Sequence, residues 1–83
     1  MMNFGQAVMH AMDGRRVARF GWNGKGMWLQ YVPATGWTLS IEGVGNLRTA
    51  PFMVMKNASG QLIPWLASQE DILAVDWTIV LQE

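Results

Sequence analysis

The residues best equipped to bind something are concentrated between Arg15 and Trp28. Four of the chain's six basic residues, three of its nine glycines and two of its five tryptophans fall in the fourteen positions RRVARFGWNGKGMW. Basic side chains attract anions, glycines let backbone N–H groups approach a ligand closely, and an indole offers a flat face for stacking. Together they describe a pocket for something anionic and aromatic, of which a nucleotide is the simplest example. Trp22, set between Gly21 and Asn23, is the natural stacking platform. A second reading stands beside this one, in which GWNGKG is a hairpin connection, Trp22 packs into the hairpin and Asn23 serves as a turn residue. The segment lacks the Walker spacing, and no long helix follows it as the dinucleotide fingerprint requires.

Signs of catalysis or metal binding are sparse. His10 is the single histidine and there is no cysteine, so neither a thiolate metal site nor a disulfide is available. Ser40, Ser59 and Ser68 lie outside any nucleophile-elbow motif. Asp71 and Asp76 are the one pair of carboxylates to weigh for acid–base work, yet a capping acid and the lead-in to a strand account for them equally well. The expectation is no catalytic residue, no metal and no cofactor, with an enzyme using Asp71 or Asp76 as base kept as the alternative.

These groups must be held by short elements. Asn3 followed by Gln6 has the form of a capping box, Phe4, Ala7, Val8, Ala11 and Met12 recur at helical spacing, and Asp13-Gly14 supplies the stop. RVARF (16–20) and MWLQYV (27–32) read as strands flanking the Gly-rich segment, and WTLSI (37–41) alternates as a half-buried strand does. EGVGN (42–46) reads as a mobile loop. PFMVMK (51–56) is a strand, QLIPW (61–65) an extended piece that Pro64 assigns to an edge or strand end, and DWTIVLQ (76–82) the closing strand. Ser68 and Asp71 repeat the capping-box pattern ahead of a second short helix. The fold class is α+β: one domain over 1–83, an N-terminal helix packed on an antiparallel sheet of about five strands, and a short second helix near the C-terminus. Trp77, in phase with Ile79 and Leu81, is the expected core tryptophan.

A domain this small buries only about 60–65% of the surface its unfolded chain exposes. Five Trp, three Phe, one Tyr and seven Met exceed what such a core can hide, which points to a homo-oligomer. Net charge is zero, so no field draws the protein to nucleic acid polymers or anionic membranes. The charge is nonetheless lopsided, with Arg15, Arg16, Arg19 and Lys25 early and Glu70, Asp71, Asp76 and Glu83 late. If the two ends of the chain meet, these groups pair or frame one site. The N-terminal segment has neither a basic region nor a long apolar run, so the expected location is cytoplasmic.

The segments NFGQAVMHAMDGRRVARFGWNGKGMW and PFMVMKNASGQLIPWLASQEDILAVDW, in that order, resemble the second family of Thoeris anti-defence proteins of phages. The resemblance covers nearly the whole chain and is weakest from Val32 to Ala50. It implies a homotetrameric sponge, acting in the host bacterial cytoplasm, that sequesters cyclic ADP-ribose isomers without cleaving them and so starves a Thoeris effector of its activator. Some members of that family are similar in holding cyclic dinucleotides at a separate site. A cyclic ADP-ribose isomer presents a purine face, ribose edges and a pyrophosphate. The expected ligand-binding residues are therefore Trp22 for stacking, Asn23 for amide hydrogen bonds, and Gly24 with Lys25 for phosphate, with Phe4 and Trp28 as apolar walls. Ser68, Gln69 and Asp71 lie at a helix start, where N–H groups meet an anion or a carboxylate takes a ribose hydroxyl. A signal-degrading enzyme and a structural phage component remain as other readings.

Overall fold

A computed structural model describes residues 1–22, 26–34 and 36–81. The elements are α1 (Phe4–Met12), β1 (Arg16–Arg19), β2 (Trp28–Val32), β3 (Thr38–Ile41), β4 (Gly45–Arg48), β5 (Phe52–Lys56), β6 (Leu62–Pro64), α2 (Gln69–Leu73) and β7 (Trp77–Val80). Five strands form one antiparallel sheet in the order β6-β5-β2-β1-β7, and β3 pairs with β4 in a separate hairpin. The α+β architecture expected from the sequence is the architecture observed.

α1 starts where its cap dictates. Asn3 Oδ1 accepts from the Gln6 N–H at 2.9 Å and Gln6 Oε1 accepts from the Asn3 N–H at 3.0 Å, the reciprocal pair of a capping box. The helix buries Ala7 and Ala11, and these small side chains let it lie close to the sheet. The opposing face comes from register: Val17 pairs with Leu29 and with Ile79, and Leu29 pairs with Met55. Because successive strand residues point to opposite faces, this row turns its side chains to the helix. Ala7, Ala11, Val17, Leu29, Met55 and Trp77 make the buried core. The chain's early and late ends do meet, for Met2 bridges Trp77 through N–H···O bonds of 2.7 and 3.0 Å.

The central segment departs from expectation. WTLSI is not a half-buried strand of the main sheet, since every residue of β3 and of its partner β4 is exposed. The expected loop at 42–46 is instead a tight hairpin turn running into β4, closed by the Val44 N–H donating to the Ile41 carbonyl at 3.0 Å. Gly43 and Gly45 adopt φ of 81° and 107°, values that L side chains avoid, which is what lets the chain reverse there. The alternation of WTLSI survives in the pairing Leu39↔Leu47. That apolar face is left uncovered within the chain.

Candidate functional site

Trp77, the first residue of β7, is fully buried and organises the aromatic side chains on the helix side of the sheet. The Phe4 ring lies 5.6 Å from it, the Trp65 ring 6.1 Å and the Trp22 ring 5.5 Å, the last two nearly edge-on at 83° and 77°. Edge-to-face geometry sets the positive rim of one ring against the negative face of another. Phe4 is there because the Asn3 cap makes it the first helical residue, and Trp22 because it follows directly on the turn leaving β1. Phe4, Trp22 and Trp65 are half-buried, so each keeps part of its surface in contact with solvent.

Beside this cluster a single guanidinium joins three parts of the chain. Arg19, the last residue of β1, donates from Nε to Asp76 Oδ1 at 2.9 Å and from Nη1 to Asp71 Oδ1 at 3.1 Å. Asp76 Oδ2 accepts the Gly21 N–H at 3.2 Å, and the Asp76 carbonyl accepts the Phe20 N–H at 2.9 Å. Asp71 Oδ2 accepts the Ser68 N–H at 3.0 Å while Ser68 Oγ accepts the Asp71 N–H at 3.1 Å, which caps α2. Trp77 Nε1 donates to the Asp71 carbonyl at 3.0 Å, tying the network to the aromatic cluster.

The electrostatics follow from these bonds. The Arg19 hydrogen bond is the main cause holding Asp76 below the ordinary aspartate range, with the Gly21 N–H assisting against a smaller desolvation cost. For Asp71, burial pushes upward most strongly, but Ser68 and Arg19 together outweigh it and the net shift is downward. Hydrogen bonding to Asp76 is the chief reason that Arg19 is raised. Both carboxylates are thus anionic, partnered and weakly basic. A general base needs the opposite, an affinity for protons tuned toward the working pH.

The sequence-derived candidates fall into three groups. Phe4 and Trp22 are brought together through Trp77, and Ser68 and Asp71 join them through Arg19 and the Trp77 indole. Gln69 sits exposed at the start of α2 next to them. Both oxygens of Asp71 already have partners, so a ribose hydroxyl there would have to share or displace one. Trp28 goes elsewhere: its pairing with Lys56 puts it on the sheet face opposite the helix. Asn23, Gly24 and Lys25 lie outside the described residues. At the far end of that segment Gly26 turns with φ of 80°, and its carbonyl accepts from Lys56 Nζ at 3.0 Å.

On the outer face Arg16 stacks over the Trp28 ring at 4.4 Å, and Trp28 and Trp37 wall a cavity of about 290 Å³ floored by Val32, Val54 and Leu62 with Gln30 at its side. A larger open hollow of about 720 Å³ runs along α1 past His10, but it touches none of the candidate residues. Volume alone supplies no recognition chemistry, whereas the cluster around Trp77 and Arg19 brings ring faces and charged groups together. Arg19 and Trp65 are the members of that cluster that residue-by-residue reading missed, and on the outer face it missed Lys56. The opposite charge bias of the two chain ends was the signal for Arg19. Among the described residues, no three His, Cys, Asp or Glu side chains are grouped to hold a metal ion, and no helix is long and apolar enough to cross a membrane.

Comparison with known proteins points in one direction. The family model described as Thoeris anti-defense 2-like domain matches residues 2–80. A protein of Bacillus phage SP01 named Thoeris anti-defense 2 is 34% identical over 84 residues, covering 95% of this chain and 94% of the relative.

Proposed function

The chain belongs to the Thoeris anti-defense 2 family, and from that premise we propose that it counters Thoeris defence by binding and sequestering a cyclic ADP-ribose isomer without cleaving it. The observation that favours binding over cleavage is the state of Asp71 and Asp76. Both are engaged by Arg19 and held below the usual aspartate range, which suits a structural clasp and not a base. Trp22 and Phe4 supply ring surface for the purine beside the Gly-rich segment, whose Asn23, Gly24 and Lys25 supply amide and phosphate contacts. Ser68, Gln69 and Asp71 line the neighbouring helix start.

The proposed working form is a homotetramer in the host cytoplasm. Support comes from large apolar side chains left at the surface of one chain, among them Leu66 at 91%, Leu81 at 84% and Phe20 at 74% exposure. A small monomer rarely leaves so many uncovered. Cyclic dinucleotides are proposed as a second ligand class, favoured by the separate Arg16–Trp28 stack and Lys56 on the outer sheet face, away from Trp22. The deciding experiment mixes protein with cyclic ADP-ribose isomers, denatures the protein by heat and chromatographs the supernatant. A sponge returns the nucleotide intact and in proportion to protein. Linear product that accumulates with time would overturn the proposal.

A further inference from the structure

Asp76 is not among the residues expected to touch ligand, yet its side chain and carbonyl hold the backbone that leads from β1 to Trp22. We infer that Asp76 is the positioning residue of the candidate site: one carboxylate oxygen is fixed by Arg19, and the other holds the Gly21 N–H so that the Trp22 indole is delivered against Trp77 in its binding orientation. This inference rests on the sequestration reading for its ligand, but its geometry stands apart from it.

Three contacts in succession carry the argument. The Phe20 N–H donates to the Asp76 carbonyl at 2.9 Å, the Gly21 N–H to Asp76 Oδ2 at 3.2 Å, and the Trp22 N–H back to the Arg19 carbonyl at 3.3 Å. The backbone is therefore pinned at consecutive residues as it leaves β1. Arg19 Nε, 2.9 Å from Oδ1, fixes the rotation of the carboxylate so that Oδ2 faces the turn. Fit at that point is close, because a methyl group on Gly21 would come within 3.3 Å of Oδ2. The next residue is Trp22, whose ring meets Trp77 edge-on at 5.5 Å. Asp76 immediately precedes Trp77 in the chain, so one dipeptide sets both the backbone of the turn and the surface on which the indole rests. A carboxylate is needed for this. An amide of the same shape has one acceptor head and one donor head, so either the Arg19 Nε–H or the Gly21 N–H would face another donor.

The test compares wild-type protein with Asp76→Asn, Gly21→Ala and Val54→Ala. The last removes buried packing on the other sheet face and controls for lost stability alone. Calorimetric titration with cyclic ADP-ribose isomers reads affinity. Far-ultraviolet circular dichroism reads the exciton coupling between Trp22 and Trp77, assigned by its loss in Trp22→Phe. The expected result is binding about tenfold weaker in Asp76→Asn, the size of one hydrogen bond's contribution, together with a reduced exciton signal. Gly21→Ala should move both readouts the same way with the Arg19–Asp76 pair still present, and Val54→Ala should lower the melting temperature and move neither. If Asp76→Asn fails to fold, Gly21→Ala decides. Unchanged affinity and unchanged coupling in a folded variant would overturn the positioning role. If wild-type protein binds no cyclic ADP-ribose isomer, the sequestration reading falls, and the exciton signal of the two variants still decides whether Asp76 orients Trp22.

Discussion

Replacing Trp22 by alanine separates a stacking platform from a core residue, and the structure sets the size of both effects. A large aromatic carries about 150–250 Å² of surface, and with roughly two-thirds of Trp22 covered about 130 Å² is out of water. At about 25 cal/mol per Å² this is ~3 kcal/mol, an upper estimate because the unfolded chain already hides some of that area. The edge-on contact with Trp77 adds about 0.5–1.5 kcal/mol. An 83-residue domain has of the order of 4–12 kcal/mol of stability, so the variant should melt earlier and still fold. Loss of base stacking should cost a further ~1–3 kcal/mol in ligand binding, a weakening of about 5- to 150-fold. Urea titration measures the first quantity, and calorimetric titration with cyclic ADP-ribose isomers well below the unfolding transition measures the second. Trp22→Phe keeps a ring and should recover part of both. If Trp22→Ala loses stability as calculated but binds ligand like the wild type, the indole serves the core only and its assignment as a platform is refuted.

Three further outcomes are expected. Trp77→Phe removes the donor to the Asp71 carbonyl and part of a fully buried ring, so it should lose about 2–4 kcal/mol in urea unfolding; a loss below about 0.5 kcal/mol would contradict the central place given to Trp77. Light scattering at micromolar concentration should return the mass of a tetramer, and a stable monomer would contradict it. Asp71 and Asp76 both have pKa values lowered by folding, so the unfolded chain takes up their protons first on acidification: their stabilisation is present above the unfolded value and is lost as pH falls through the lower folded values. Melting temperature should therefore hold steady through neutral pH and fall below roughly pH 4, and Asp71→Asn should flatten that acid limb. An equally steep limb in the variant would show that other groups govern it.

What could be read without the structure was local. Asn3 with Gln6 and Ser68 with Asp71 form caps whose partners are three residues apart, so the hydrogen bonds are implied wherever the helix starts. Strand alternation likewise marked Trp77 as core, since period-two spacing with Ile79 needs no knowledge of the neighbouring strand. The strength of WTLSI as a strand was legible too, but not its partner. Its leucine at 39 meets Leu47 in a stretch, GNLR, that has no alternation of its own, and pairing energy comes from the cross-strand neighbour. The aromatic residues show the same division. Trp22 and Trp28 are six positions apart and read alike in sequence, yet register sends Trp28 to the outer face while the turn after β1 folds Trp22 against Trp77. Arg19 reaches Asp71 and Asp76 across 52 and 57 residues, a contact that the charge bias of the two ends makes favourable and that only the packing of β1 beside β7 brings about. Sequence thus determined the elements other than β4, their caps and the family, because those depend on neighbours along the chain. Which side chains share a site was decided by strand order and register, because a shift of one residue moves every side chain to the other face.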